Sequence, residues 1–358
     1  MRETHLEAKF SKLLAYPEHC FGELASERWL SLCSSLSKCQ IPSGKFAIEK
    51  GRKWELVSAL QKATRRADKS TALRVISGTV NMPEEYAYFL RRLCVIACED
   101  VGPSDDTLVK FVIACATMFS TQKPGPENFR LLRFLVEQMC DVPIRSRIYC
   151  SYEILSRATE KMAQPRLRPE ERMIVDAIFQ QKQTVNAGNT RLHEWQKQQS
   201  WRTAGLLKFV GFSLPLESHV RTDPLPAYKT IFDLPSYCYD VYTRIGLTVL
   251  RRLVHGVPGA HAIRDFFHWN SVRVPSHKVL GEALFTVEGG REKCELVYPL
   301  LCSLEQRIFA HQFGLQFDQW LRLCDLTLKA LERGIIDRLR EEILRRQYGQ
   351  EKLPLICQ

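Results

Sequence analysis

No run of the 358 residues approaches the roughly 18 uninterrupted apolar side chains that a membrane-crossing helix needs, so no membrane span is expected. The first residues, Met1-Arg2-Glu3-Thr4-His5-Leu6-Glu7, carry acids and no apolar core. A secretory leader is therefore not expected, and the cytoplasm is the expected compartment. The 13 cysteines are odd in number, and none forms a C-x-x-C pair. Cys94 and Cys98 lie four apart on a helical stretch beside Leu90 and Ala97, which reads as small buried hydrophobes in a reducing cell. There is no H-E-x-x-H among the nine histidines, and His255, His261, His268 and His277 are spaced to favour no single helical face. Without closely paired ligands no metal site is expected. A phosphate-cradling G-x-x-x-x-G-K-[ST] loop is missing as well: Ser43-Gly44-Lys45-Phe46 lacks both the first glycine and the hydroxyl residue. Gly256-Val257-Pro258-Gly259 and Glu288-Gly289-Gly290 read as turns. No glycosidase, protease, kinase or Rossmann signature occurs, so no reaction is named and no cofactor is predicted.

Strand signals are also scarce. The hydrophobic fraction is 45% and the charged fraction 25%, which excludes a disordered, collagen-like or coiled-coil chain. Apolar residues instead recur at three- and four-residue spacing, and an all-α, multi-helical fold with little or no sheet is predicted. Helices are expected through the first 40 residues, from Trp54, and over Thr71–Val80, where Asp68 and Ser70 suggest a new N-cap. Another opens at Pro83-Glu84-Glu85, with a proline and acids suited to a first turn, and stops at Gly102-Pro103. Further ones are expected after Ser104-Asp105-Asp106, over Phe129–Met139, Ser146–Met162 and 173–200, then over Tyr239–His255, Ala262–Asn270, Leu296–Phe313 and Phe317–Tyr348. Leu284-Phe285-Thr286-Val287 reads as a short strand. Four prolines, Pro215, Pro224, Pro226 and Pro235, punctuate about twenty residues and cannot sit in a helix interior. They suggest a helical domain over 1–200, a proline-rich hinge over 201–235 and a second helical domain over 236–358. Near the end of the chain, Leu321, Leu326, Leu328, Leu331, Ile335, Ile336, Leu339 and Ile343 form an apolar pattern that suits an oligomer seam or an internal core.

Charge is abundant and uneven. The formal net charge is +11, and residues 45–74 hold nine basic residues against three acidic ones. Within them Lys62, Arg65, Arg66 and Lys69 fall at i, i+3, i+4 and i+7, one stripe of a helix. Like charges at that spacing repel unless compensated, either by acids elsewhere in the fold or by a phosphate backbone. Arg91-Arg92 could extend the patch or pair with Glu84 and Glu85. At these residues the chain resembles a known family. The stretch Glu55–Leu73, ELVSALQKATRRADKSTAL, is similar to the "LISALHKSIRGSDPDAAL" helix-turn-helix of clamp-loader-like AAA+ ATPases of the RarA/MgsA type. Arg91–Gly102, RRLCVIACEDVG, resembles that family's "RRLVRIASEDIG" in the right order and at about the right distance. The resemblance covers about a sixth of the chain, residues about 50–110, and implies a helical collar of the kind that serves oligomerisation beside a DNA-engaging motor. With no P-loop here, it implies a collar module detached from its ATPase. Read from the residues, Glu99-Asp100 is a structural pair at a helix end.

A second constellation follows the hinge. Tyr237-Cys238-Tyr239-Asp240-Val241-Tyr242-Thr243-Arg244-Ile245-Gly246 opens a helix and is flanked by Arg221, Lys229, Arg251 and Arg252. Asp240 fits a simple N-cap. The alternative is an anion pocket at a helix N-terminus, with Asp240, Tyr242, Thr243 and Arg244 as catalytic candidates and Arg221 and Lys229 holding phosphate. Three expectations follow. The first is a DNA-binding protein of replication, repair or modification, encoded by a bacteriophage or mobile element and gripping phosphates through Lys62, Arg65, Arg66, Lys69, Arg91 and Arg92. The second is a transferase modifying a base in phage DNA, with its pocket near 221–255. The third is a homo-oligomeric scaffold. DNA is the expected partner, and a membrane is not.

Overall fold

A computed structural model of the chain describes residues 11–18, 21, 24–39, 52–79, 82–119, 126–161, 167–188, 210–211, 217–220, 226–290, 296–297 and 299–348. Over these the fold is predominantly α-helical, as the periodicity predicts. It divides into two compact units: residues 1–51 with 63–217, and residues 52–62 with 218–358. Of the three changes of unit, the last falls between Glu217 and Ser218, within the proline-punctuated stretch. The one after Lys62 has no sequence signal, because it lies inside one helix.

The first unit contains α1 (Glu27–Lys38), the last turn of α2 (Lys53–Arg65), α3 (Lys69–Thr79), α4 (Tyr86–Ile96), α5 (Asp106–Phe119), α6 (Pro126–Cys140), α7 (Ile148–Lys161) and α8 (Pro169–Gly188). Helix α3 packs on α6, α4 and α1 pack on α5, and α7 packs on α8. The local signals act as their chemistry dictates. Ser26 caps α1 by accepting from the Trp29 N–H. Trp29 in turn lies edge-on to Phe111, with ring centroids 5.0 Å apart, and its Nε1 donates to the Leu13 carbonyl at 3.0 Å. Between α2 and α3 the chain turns through Ala67 at φ 54°, and the Asp68 carboxylate accepts from the Thr71 N–H at 3.0 Å. Asp105 likewise accepts from the Leu108 N–H at 2.9 Å at the start of α5. Helix α4 ends in a widened π turn, Ala97–Val101. The chain then passes Gly102 at φ 59°, where a Cβ would lie 2.5 Å from the Ser146 carbonyl oxygen.

The second unit contains the first part of α2, then α9 (Arg244–His255), α10 (His261–Trp269), α11 (Ser276–Phe285), α12 (Pro299–Phe313), α13 (Phe317–Glu332) and α14 (Ile335–Tyr348). Helix α9 packs against α10, α11 and α14, and α13 packs against α10, α11, α12 and α14. Gly334, at φ 66°, separates α13 from α14, a break inside what the sequence suggests is one helix. The expected strand over Leu284–Val287 is instead the end of α11 followed by a π turn, Thr286–Gly290. A short buried apolar run has the same composition in either structure, and here the helix continues because it packs on α9 and α13. Two antiparallel strand pairs occur, β1 (His219–Val220) with β4 (Leu296–Val297) and β2 (Thr230–Ile231) with β3 (Leu234–Pro235). The β2–β3 turn has both central residues, Phe232 and Asp233, at positive φ (49° and 65°), the twist that a two-residue hairpin requires. Of the apolar pattern in α13 and α14, Leu331, Ile335, Ile336, Leu339 and Ile343 are core, while Leu321 is exposed. None of the described helices is long and apolar enough to cross a membrane.

Candidate nucleic-acid interface

The basic stripe is not a continuous outward face. In the second unit, the Lys62 ammonium is buried and lies 2.8 Å from Asp240 Oδ2, with side-chain exposures of 5% and 3%. It also donates to the Tyr237 carbonyl, and it sits 5.6 Å from the centroid of the Phe285 ring. In the first unit, Arg65 Nε donates to Asp100 Oδ1 at 2.6 Å, with exposures of 2% and 0%. Arg147 Nε approaches the same oxygen at 3.7 Å. Asp100 therefore acts structurally, and the pair joins the segments Glu55–Leu73 and Arg91–Gly102. Arg66 is partly buried, and Lys69 is bridged to Asp141 at 2.7 Å on the surface. Arg91 is exposed and Arg92 half-buried. The repulsion expected along the stripe is thus relieved by carboxylates from distant parts of the chain, so Lys62 and Arg65 present no charge to a phosphate.

The four catalytic candidates are not brought together in one pocket either. Asp240 and Thr243 are buried, whereas Tyr242 and Arg244 are exposed. Thr243 is the N-cap of α9: its hydroxyl accepts from the Gly246 N–H at 3.1 Å and donates to the Asp240 carbonyl at 3.0 Å. Asp240 stands one turn earlier. Its Oδ1 accepts from the Tyr242 N–H at 2.9 Å, and its Oδ2 accepts from the Ser58 hydroxyl at 2.8 Å and from Lys62. These partners occupy the carboxylate as an organiser of the helix start. Gly246 is required at that start, because a Cβ there would fall 1.9 Å from the Asp240 carbonyl oxygen. Lys229 is exposed, and Arg221 lies outside the described residues.

Around Asp240 the second unit holds a buried polar network. Arg52 donates to the Phe232 carbonyl at 2.9 Å and to the Tyr239 hydroxyl at 2.6 Å, clamping the strained β2–β3 turn. The π turn aims Glu288 at Arg340, which it engages through both oxygens at 2.7 and 3.1 Å. Arg340 also bonds Asp337 at 3.0 Å and the Tyr239 carbonyl at 3.2 Å. Burial opposes the Arg340 charge, yet Glu288 and Asp337 carry its pKa above the usual arginine value. Burial likewise raises the Glu55 carboxyl and the Cys238 thiol. Within this interior the Arg340 charge is matched by Glu288 and Asp337, so removing either partner would leave a charge buried and uncompensated.

The outer face of α9–α11 has a different character. Between Val241 and Gly281 the chain carries six basic residues, Arg244, Arg251, Arg252, Arg264, Arg273 and Lys278, and a single acid, Asp265. All but the half-buried Arg252 are exposed. Arg244 and Arg251 are two turns apart on α9, about 10 Å along its axis. Arg251 is close enough to His277 of α11 that, after burial, its charge and that of Lys278 hold the imidazole below its ordinary pKa. Two of the cations have acidic neighbours: Arg264 pairs with Asp265 at 2.7 Å, and Arg252 with Glu342 at 3.1 Å. Two large aromatic side chains stand out at the ends of these elements, Tyr242 just before α9 at 59% exposure and Trp269 at the end of α10 at 79%. In the sequence this stretch is marked by its shortage of acids, whereas residues 45–74 are marked by their density of bases.

A cavity of about 340 Å³ in the first unit is lined by Ser35, Lys38, Cys39, Arg133, Phe134, Glu137 and Gln138. Arg133 there donates to Glu137 at 3.1 Å, which leaves Lys38 as the one lining charge outside that pair. Among the described residues no group of three or more histidines, cysteines or acids is placed to hold a metal ion. No family model matches the chain, and neither does any curated protein or solved structure.

Proposed function

We propose that this chain is a DNA-binding protein of DNA metabolism that engages the phosphate backbone through the exposed face of α9–α11. The observation that carries the reading is the imbalance of charge between Val241 and Gly281, where five exposed cations face solvent and the single acid is spent on Arg264. Interior cations such as Lys62, Arg65 and Arg340 are matched by buried carboxylates, so much of the excess of +11 resides on the surface. Each phosphate that such a surface neutralises releases condensed counterions, which drives binding at low salt. The resemblance of Glu55–Leu73 and Arg91–Gly102 to the collar of RarA/MgsA-type ATPases supports a place in replication, repair or modification.

Fluorescence anisotropy of labelled DNA at low and moderate ionic strength tests the reading. Binding that weakens steeply with salt is expected. Arg251→Gln with Lys278→Gln should weaken it severalfold, while Lys69→Gln should leave it nearly unchanged. Unaltered anisotropy at low salt with either single-stranded or duplex DNA would refute the function. Equal affinity of the double variant and the wild type would refute the assigned face.

A further inference from the structure

We infer that the α9–α11 face takes single-stranded DNA in preference to duplex, with Trp269 and Tyr242 as stacking platforms for unpaired bases. This rests on the proposed DNA-binding function and adds the form of the ligand.

Both aromatic side chains project from fixed backbone. The Tyr242 N–H is held by buried Asp240 at 2.9 Å, and its ring meets Phe285 of α11 edge-on, with centroids 6.4 Å apart. Trp269 ends α10. The next residue, Asn270, locks that helix end by donating to the Phe266 carbonyl at 2.7 Å and accepting from Gln319 of α13 at 2.6 Å. His268 lies edge-on to the indole at 4.8 Å, leaving the large ring system 79% exposed. An exposed aromatic ring on rigid backbone forgoes burial within its own fold but loses little entropy when a flat partner covers it.

Cations neighbour both rings along the chain. Arg244 follows Tyr242 by two residues, while Arg264 and Arg273 lie five before and four after Trp269. Arg273 is itself tethered, with its N–H donating to the Phe313 carbonyl at 2.8 Å and its guanidinium reaching the His311 carbonyl at 3.4 Å. Aromatic rings interleaved with cations suit a single strand, which offers base faces and phosphates together. In a duplex the base faces are stacked inside, so the same rings would gain nothing from it. Charge alone would serve either form, and the rings therefore decide the preference.

The test compares a labelled homothymidine oligonucleotide with a blunt duplex of equal length, at one ionic strength, on the full chain. The single strand is expected to bind more tightly and to quench tryptophan emission. Trp269→Ala should weaken single-strand binding roughly five- to hundred-fold and remove the quenching, with Trp269→Phe restoring much of the affinity. Tyr242→Ala should act in the same direction, and both variants should leave duplex binding and the circular dichroism spectrum unchanged. Duplex affinity equal to or above that of the single strand, with both alanine variants silent, would overturn this inference while leaving DNA binding intact. Failure to bind either DNA would overturn the underlying function as well.

Discussion

Replacing Arg65 with alanine removes a guanidinium that is 2% exposed and 2.6 Å from a fully buried carboxylate. Asp100 would then keep only Arg147, at 3.7 Å, to balance its charge. Breaking a buried pair from one side costs about 3–5 kcal/mol, because the remaining charge stays desolvated. Arg147 places the expected loss towards the lower end. For a unit of this size each kcal/mol lowers the melting temperature by about 2–4 °C, so a drop of roughly 6–15 °C is expected in a thermal melt followed by circular dichroism. Lys69→Ala, in the same helical stripe, is the control. Its bridge to Asp141 leaves the two side chains 42% and 52% exposed, and surface pairs of this kind contribute about 0–1 kcal/mol. DNA affinity of the Arg65 variant, measured well below its melting point, should match the wild type. A melting temperature within about 2 °C of wild type, together with lost DNA binding, would refute the reasoning, since it would mean that Arg65 serves phosphate and not Asp100.

Gly246→Ala should destabilise the chain by about 1–3 kcal/mol or more, because the added methyl meets the Asp240 backbone. Elsewhere in a helix the same change is commonly stabilising, so a raised urea midpoint would contradict the described helix start. His277 gives a pH signature. Its folded pKa lies below the ordinary 6.5, so the unfolded chain protonates first, and a contribution to stability present above 6.5 is lost as pH falls from there through the lower folded value. A bound phosphate backbone would reverse the influence of Arg251 and Lys278 and draw a proton onto the ring, so DNA affinity should rise between about pH 8 and about pH 6. His277→Gln should reduce that rise. An affinity that falls over the same range would contradict it.

Much of the helical architecture is legible from local chemistry. Asp68, Asp105 and Pro83 mark helix starts where the sequence suggests them, because capping acts over three or four residues. The interior of the charged sites is not legible, for the same reason of range. Lys62 and Arg65 read as a surface stripe, since helical spacing reports only which side chains share a face. Whether that face meets water depends on Asp240 and Asp100, and the Arg65 partner lies 35 residues away in sequence. Ser58 and Asp240 are separated by 182. The π turn at Thr286–Gly290 is set by packing and by the reach of Glu288 to Arg340, which no local pattern encodes. Tyr242 and Arg244 differ from Asp240 and Thr243 only by which way a capped helix start turns them. The sequence does carry the cationic α9–α11 stretch, but its signal is the shortage of acids, since the bases there are spread over three helices and the connection before α11.

The salt dependence of DNA binding tests the assigned face most directly. Affinity for a single-stranded oligonucleotide, measured from about 50 to about 200 mM salt, should fall linearly on logarithmic axes. Arg251→Gln with Lys278→Gln should make that slope shallower by about 1.4, the value for two lost phosphate contacts on a single strand. An unchanged slope and affinity in the double variant would contradict the account.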